Sequence, residues 1–236
     1  MQRLALALVA GLVVIAVALA LGLYAVADGI RDRGASDQIA VTGSAKRTIT
    51  SDYVVWNATL ASQAESPARA ATQLSGWLEQ TVKELEGSGI RHSELTVSPI
   101  STETMSKRGR ITSYRLVRSL EVRSLRIDVV VKAIEDSSAL LSAGVPLSAG
   151  RPQYVYTKLA ELRPALSAEA TKDAIERAQA IVEITGDKLG GVRDAYSSPF
   201  QVTAPGSTDV SDYGIYDTST REKEVTAVIN ITFAVK

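Results

Sequence analysis

The chain contains no cysteine among its 236 residues and only one histidine. The lack of cysteine excludes disulfide bonds, thiolate nucleophiles and cysteine-ligated metals. Lys plus Arg and Asp plus Glu both number 26, so the net charge is zero. No overall positive field attracts nucleic acid, and we expect no nucleic-acid partner.

The residues that catalysis or metal binding would need are also scarce. His92, the only histidine, follows a predicted helix in a polar turn, and no carboxylates at helical spacing accompany it. A Ser-His-Asp triad would have to use this same histidine, and no Gly-x-Ser-x-Gly motif occurs. Gly87-Ser88-Gly89 lacks the lysine of a phosphate-binding loop. We therefore expect no enzyme activity, no cofactor and no metal site.

A long uncharged apolar run from Leu4 to Ala27 opens the chain. At about 1.5 Å per residue a helix of this length reaches about 36 Å, and a hydrocarbon core is about 30 Å thick. Arg3 precedes the run, and Tyr24 lies near its outer end. The pattern predicts that residues 1–30 form a single-pass transmembrane helix in the inner (cytoplasmic) membrane. The N-terminus would be inside and residues 31–236 would be extracytoplasmic.

A cleaved signal peptide is the alternative interpretation of the same segment. Ala25-Val26-Ala27 has the small-x-small form that signal peptidase accepts, but the apolar run is longer than a usual h-region of about 7–15 residues. Cleavage after Ala27 would leave a soluble periplasmic protein. In both interpretations the rest of the chain is exported. We divide it into a linker, 31–38, and a domain, 39–236.

The first half of this domain predicts strands and one amphipathic helix. Ile39–Gly43 and Tyr53–Leu60 have the β-branched and aromatic enrichment of strands. Ser66 and Pro67 are typical of a helix start, and the apolar spacing continues to Gly87.

Next come two arms flanking Lys107-Arg108-Gly109-Arg110, which predicts a hairpin loop. In the second arm, Ile111 to Val131, the apolar residues stand at even-numbered positions up to Val122 and at odd-numbered positions from Leu125. A regular strand cannot keep both sets on one face, so the pattern predicts a bulge or break near Arg123-Ser124.

The second half begins with a predicted short helix, Ala133 to Leu141, and a strand, Gln153 to Leu162. Ser167 is the predicted cap of a long helix in which alanines recur every four residues. Gly186, inside that pattern, indicates either close packing or an early helix end.

A strand from about Val192 to Thr203, a polar loop from Ala204 to Arg221 and a final strand complete the chain. That final strand has the clearest alternation, with apolar residues at Val225, Ala227, Ile229, Ile231, Phe233 and Val235.

Two segments of the chain resemble each other. Gly89-Ile90-Arg91 leads to Ser98-Pro99-Ile100, and Gly191-Val192-Arg193 leads to Ser198-Pro199-Phe200. One strand–helix–strand unit used twice would explain the match, although the match is short enough for chance to remain the alternative. The two prolines indicate edge or bulged positions.

The order of these features resembles the bacterial exported SIMPL domain family. The resemblance runs from Ile39 to Lys236. It rests on Val41-Thr42-Gly43, the Pro67 helix start, Gly89-Ile90, Tyr114, the alanine-spaced helix, Gly186, Leu189-Gly190 and the last strand. Ala45 and Ser51-Asp52 depart from the family pattern, and Ser142 to Leu162 fits it poorly. The resemblance implies an α+β fold of strand–helix–strand units with antiparallel hairpins.

The resemblance also implies a role. Similar proteins are exported, associate with envelopes and assemble into ring or channel-like homo-oligomers. Some are linked to oxidative-stress tolerance. We therefore expect a non-enzymatic, membrane-anchored, self-assembling envelope protein. The alternative is a periplasmic module that binds a lipid or a small ligand of unknown identity in an apolar pocket.

One local excess of charge marks a candidate contact surface for oligomer or membrane. Between residues 107 and 126 the sequence has seven cations but one carboxylate, Glu121; the cations are Lys107, Arg108, Arg110, Arg115, Arg118, Arg123 and Arg126. A solvated strand face is the simpler explanation. If the hairpin makes a contact, we expect Lys107, Arg108, Arg110 and Arg115 to take part. The predicted partners in the polar loop are Asp209, Asp212 and Asp217.

Overall fold

The computed structural model describes residues 17–23 and 37–236, and residues 17–23 are helical. The predicted transmembrane helix, 1–30, and linker, 31–38, therefore lie for the most part outside the described residues. Among the residues described, no helix is both long and apolar enough to cross a bilayer.

The described residues form an α+β fold. We number the helices α1 to α4 from the first one of the domain, and they span Pro67–Gly87, Ile127–Asp136, Ser138–Ser142 and Leu159–Thr185. The strands, β1 to β11, span Gln38–Thr50, Tyr53–Ala64, Leu95–Val97, Ser101–Lys107, Arg110–Ser124, Leu147–Ala149, Gln153–Val155, Leu189–Ser197, Gln201–Thr203, Ile215–Tyr216 and Glu222–Val235.

The larger of two structural units comprises residues 45–168 and 199–227. It contains a sheet in the order β3–β5–β2–β6, in which β4 also pairs with β5 and β7 with β2. β2 and β5 pair without interruption from Val54–Ser124 to Ala64–Tyr114. Their inward residues form a hydrophobic core with α1 and α2 that includes Trp56, Leu60, Leu74, Leu85, Leu120 and Val130.

Helix α1 begins and ends where the sequence predicts. The Ser66 hydroxyl accepts a hydrogen bond from the Arg69 amide, and Pro67 occupies the first turn. Gly89, with a φ of 101°, ends the segment, because this left-handed conformation is open to glycine.

The predicted break near Arg123-Ser124 is confirmed, but the prediction of strand beyond it is wrong. β5 ends at Ser124, whose hydroxyl accepts a hydrogen bond from the Arg126 amide, and α2 follows. Ile127, Val130 and Ala133 are buried at a spacing of three residues, which is a helical period. The β-branched residues of this stretch therefore belong to a helix, because packing outweighs local propensity. The predicted helix Ala133 to Leu141 is accordingly two helices, α2 and α3.

The smaller unit comprises the described residues among 1–44, together with residues 169–198 and 228–236. Here β1 approaches α4 at a glycine: a Cβ atom added to Gly43 would lie 2.1 Å from the Ala170 carbonyl oxygen and 2.5 Å from the Ala174 nitrogen. The Ser44 amide donates to the Asp173 carboxylate at 2.8 Å. Glycine on the strand and alanine on the helix thus allow backbone-to-backbone contact.

Helix α4 starts earlier than the sequence predicts. The predicted strand Gln153 to Leu162 is limited to β7, and Ser167 lies inside the helix, as does Pro164. Leu162 and Leu166 are buried, and they lie eight and four residues before the buried Ala170. The four-residue spacing of the alanines therefore extends towards the N-terminus on both sides of Pro164. Burial of these side chains offsets the loss of one helical N–H donor.

Gly186 marks the early helix end. It has a φ of 82°, and apart from its chain neighbours no described residue has an atom within 4 Å of the position that an added Cβ would take. The alternative explanation, close packing, is therefore wrong.

The other sheet has the order β1–β11–β9–β10, and β8 also pairs with β11. Both sheets contain the same order of elements along the chain: a strand, a helix, a third element that is a strand interrupted by a gap, and a final strand. In the first sheet these are β2, α1, β3 with β4, and β5; in the other they are β1, α4, β8 with β9, and β11. Pro99 and Pro199 each lie in the gap that interrupts the third strand. The shared topology favours the repeated unit over chance, with one copy inserted between β1 and α4 of the other.

Candidate interaction surface

The β4–β5 hairpin extends from the larger unit as an exposed two-stranded arm. All residues of β4 are exposed, as are the first three residues of β5. Lys107 pairs with Arg110, so the loop consists of Arg108 and Gly109 alone. The predicted hairpin is confirmed. Its end contributes nothing to the hydrophobic core.

Both loop residues adopt the left-handed conformation, with φ of 52° for Arg108 and 78° for Gly109. A two-residue hairpin loop of this kind favours asparagine followed by glycine. Arginine in this conformation costs on the order of 1 kcal/mol. The arm therefore carries a cation, Arg108, at a loop position where the backbone conformation favours asparagine.

Four of the seven cations have a partner inside the described chain, and three do not. Arg115 pairs with Glu103 at 3.3 Å, and Arg123 pairs with Glu121 at 2.5 Å. Arg118 donates to the Ser98 carbonyl oxygen, and Arg126 pairs with Glu94. The other three of the seven have no such partner among the described residues and form what we call the basic turn: Lys107, Arg108 and Arg110.

Of the three predicted acidic partners, two are open to contact. Asp209 accepts a hydrogen bond from the Ser207 hydroxyl at 2.9 Å, and neither it nor Asp212 forms an ion pair within the described residues. We call residues 207–213 the acidic loop. Within the chain, the structure brings neither Asp209 nor Asp212 to the basic turn.

Asp217 is already engaged inside the chain. The Ser219 amide and hydroxyl donate to its Oδ1, and the Thr220 hydroxyl donates to Oδ2 at 2.8 Å. Lys223 Nζ lies 3.8 Å from the same Oδ2. Burial by itself raises the pKa of Asp217, but these hydrogen bonds and the lysine charge outweigh it and lower the pKa to about 2.

Lys223 is a buried cation that the sequence analysis missed. Its side chain is 0% exposed, and Nζ donates to the Thr220 carbonyl oxygen at 2.5 Å. Burial lowers the pKa of Lys223, and the Asp217 charge opposes this shift. Lys223 lies two residues before Val225 and four before Ala227, both of which are buried. Because side chains two apart on a strand point to the same face, the sequence alternation of β11 already places Lys223 on the inward face.

Glu94 forms a second internal carboxylate site. Its oxygens accept hydrogen bonds from the Ser124 hydroxyl at 2.7 Å, from the Arg91 amide at 2.9 Å and from the Arg126 guanidinium. Burial by itself raises the pKa of Glu94, but these donors outweigh it and lower the pKa to about 2, from an ordinary value of 4.5. This site joins the turn after α1 to the end of β5.

Lowering the pH should reduce the free energy of unfolding, because Glu94 loses its charge. Because its folded pKa lies below its unfolded pKa, the stabilisation is complete above about pH 4.5 and is lost as the pH falls towards 2. We expect Glu94→Gln to be about 2 kcal/mol less stable than the wild type at pH 7. In urea unfolding at a series of pH values, the two stability curves should converge on acidification. Parallel curves would contradict this role for Glu94.

Two further places in the larger unit carry polar groups, His92 and a cavity at the start of α2. His92 lies in a short 3₁₀ turn with an exposed ring, and Nδ1 is 2.9 Å from Glu86 Oε1. A cavity of about 420 Å³ at the start of α2 is lined partly by Ser51, Asp52 and Arg221. Within residues 17–23 and 37–236, no three metal-binding side chains form a group.

A family model named SIMPL, described as a protein of unknown function (DUF541), matches residues 39–233. This chain belongs to the SIMPL family. The resemblance seen in the sequence is thereby confirmed, with nearly the same limits. No curated protein matches the chain.

Solved structures similar to this SIMPL chain are distant. They include an amidase of the hydantoinase/carbamoylase family from Burkholderia phymatum, with 10% identity, a TM-score of 0.31 and coverage of 51% of this chain and 34% of that one. A hydantoinase/carbamoylase family amidase from Burkholderia ambifaria has 12% identity, a TM-score of 0.25 and coverage of 46% and 29%. The SIMPL chain thus spans about a third of their length. A hydrolase from Listeria innocua has 10% identity, a TM-score of 0.24 and coverage of 81% and 91%.

Proposed function

We propose that this SIMPL protein is a non-enzymatic, membrane-anchored envelope protein. Its extracytoplasmic domain self-assembles into a ring-like or channel-like homo-oligomer that acts in the envelope or in the oxidative-stress response. The observation that carries the proposal is the β4–β5 arm, whose end is exposed on both faces and packs against no core. A two-stranded ribbon is marginally stable alone, so a contact outside the chain would stabilise it.

The membrane anchor rests on the apolar run from Leu4 to Ala27, which has the length and lack of charge of a spanning helix. N-terminal sequencing of the mature protein tests it. A mature chain that begins at Asp28 would show a cleaved signal peptide and a soluble periplasmic protein.

Self-assembly is tested by the mass of the full chain purified in mild detergent. Light scattering that separates protein mass from detergent mass should give a multiple of the 25.1 kDa chain mass at micromolar concentration. A mass of one chain across the micromolar range would refute self-assembly.

A small-ligand module is the second candidate function. The cavity at the start of α2 supports it, because its lining includes both carboxylates and guanidinium groups: Asp52, Asp128, Arg126 and Arg221. This lining suits a small polar ligand better than a lipid. Native mass spectrometry of protein taken from its own membrane should then show a constant added mass, and an unmodified chain mass would remove this candidate.

A further inference from the structure

Two surfaces of the larger unit carry opposite charges that nothing in the described chain neutralises. The basic turn, Lys107, Arg108 and Arg110, ends the exposed arm. The acidic loop, 207–213, carries Asp209 and Asp212. Among the described residues, no hydrogen bond or ion pair joins the two surfaces, so each is available to a partner.

Both surfaces also expose apolar side chains. On the arm, Met105 is 41% exposed and Ile111 is 59% exposed. On the acidic loop, Val210 is 82% exposed and Tyr213 is 97% exposed. Aromatic residues are enriched in protein interfaces, where their large surface is buried against the partner. The two surfaces therefore match each other in apolar character as well as in charge.

The acidic loop is held in place despite its exposure. The Gln201 side-chain amide donates to the Ser211 carbonyl oxygen at 2.8 Å, and the Gly214 amide donates to the same oxygen at 3.0 Å. The Ser207 hydroxyl accepts from the Asp209 amide at 3.1 Å. A loop fixed in this way loses little conformational entropy on binding.

Resting on the proposed self-assembly, we propose that the basic turn of one copy contacts the acidic loop of the next copy. When each copy presents its basic turn to one neighbour and its acidic loop to the other, the contact is heterologous, and repetition produces a closed ring or an open series of subunits. The left-handed Arg108 is consistent with this contact, since its cation projects from the turn despite a backbone cost.

A membrane surface fits the arm less well than a second copy does. Ile111 pairs with Ser106, whereas Met105 pairs with Ser113. The register shifts between these two pairs, and Thr112 is the extra residue on β5. On β4 the neighbours Met105 and Ser106 point to opposite faces, and Ile111 shares the face of its partner Ser106, so Met105 and Ile111 lie on opposite sides of the ribbon. The arm thus lacks the single apolar face that insertion into a bilayer would use.

Charge reversal on each surface tests the contact, again with the full chain in mild detergent. The first variant carries Lys107→Glu, Arg108→Glu and Arg110→Glu; the second carries Asp209→Lys and Asp212→Lys. Each variant alone should assemble about tenfold more weakly than the wild type, because like charges meet. An equal mixture should assemble again, since every contact between unlike variants pairs opposite charges. Added salt should weaken wild-type assembly.

A matched control reverses three exposed cations elsewhere in the larger unit: Arg69→Glu, Lys83→Glu and Arg151→Glu. This control should assemble like the wild type. The proposal is overturned if either charge variant alone assembles normally, or if the mixture does not recover. It is also overturned if the first variant keeps its assembly but loses binding to vesicles containing phosphatidylglycerol, which would assign the turn to lipid. A monomeric wild type would instead refute the proposed self-assembly itself.

Discussion

Replacing Gly43 with alanine should destabilise the protein by about 4 kcal/mol or more, which is exceptional for a single substitution. The new methyl group would lie 2.1 Å from the Ala170 carbonyl oxygen and 2.5 Å from the Ala174 nitrogen. Both are backbone atoms of α4, so no side-chain rotation relieves the overlap. The helix would have to move from the strand and weaken the hydrogen bond from Ser44 to Asp173. Urea unfolding followed by circular dichroism measures the loss.

Gly191→Ala is the matched control for this prediction. Gly191 also lies in a strand of the smaller unit, β8. Within the part of the chain that the structure describes, only its chain neighbours have atoms within 4 Å of the position its Cβ would take. Its replacement should change stability by less than about 1 kcal/mol. Equal losses in the two variants would show that the contact with α4 is not the cause.

Replacing Asp217 with alanine should cost about 3–5 kcal/mol, because it leaves the Lys223 charge buried without its counter-ion. It also removes the acceptor of the hydrogen bonds from Ser219 and Thr220. By contrast, Lys223→Met removes the buried charge and keeps a side chain of similar length. We expect that variant to lose less than about 2 kcal/mol. Urea unfolding of both variants at pH 7 measures the asymmetry.

The double variant, Asp217→Ala with Lys223→Met, provides the internal check. If the cost of Asp217→Ala arises from an uncompensated lysine, adding Lys223→Met should recover part of the lost stability. Additive losses would instead mean that the two side chains act independently. In that case Asp217 would serve only to hold the residues that follow it.

The sequence predicted correctly those elements that depend only on residues close together in the chain. The start of α1 was predictable because Ser66 and Pro67 satisfy the first helical turn by themselves. The hairpin loop at Arg108-Gly109 and the alternation of β11 also depend on neighbouring residues only. The same alternation, extended two residues before Val225, places Lys223 on the inward face.

Elements decided by packing were predicted wrongly. Ile127 to Val131 is rich in β-branched residues, yet it forms a helix because Ile127 and Val130 are buried on one helical face. Ser167 was the predicted cap of the long helix, yet α4 already begins at Leu159, since Leu162 and Leu166 are buried ahead of Ser167. In both places the free energy of burial exceeds the local preference.

By itself, the sequence determined the α+β class and the positions of the main turns, because these follow from short-range periodicity and turn chemistry. The family was identified by resemblance, from the order and spacing of such features along the chain. Only the tertiary structure decided which charges are free to act. Arg126 is neutralised by Glu94, which lies 32 positions away in the chain, while Arg108 and Arg110 have no such partner among the described residues. Only folding brings such distant side chains within a few ångströms, which is why counting charges along the sequence overestimated the basic surface.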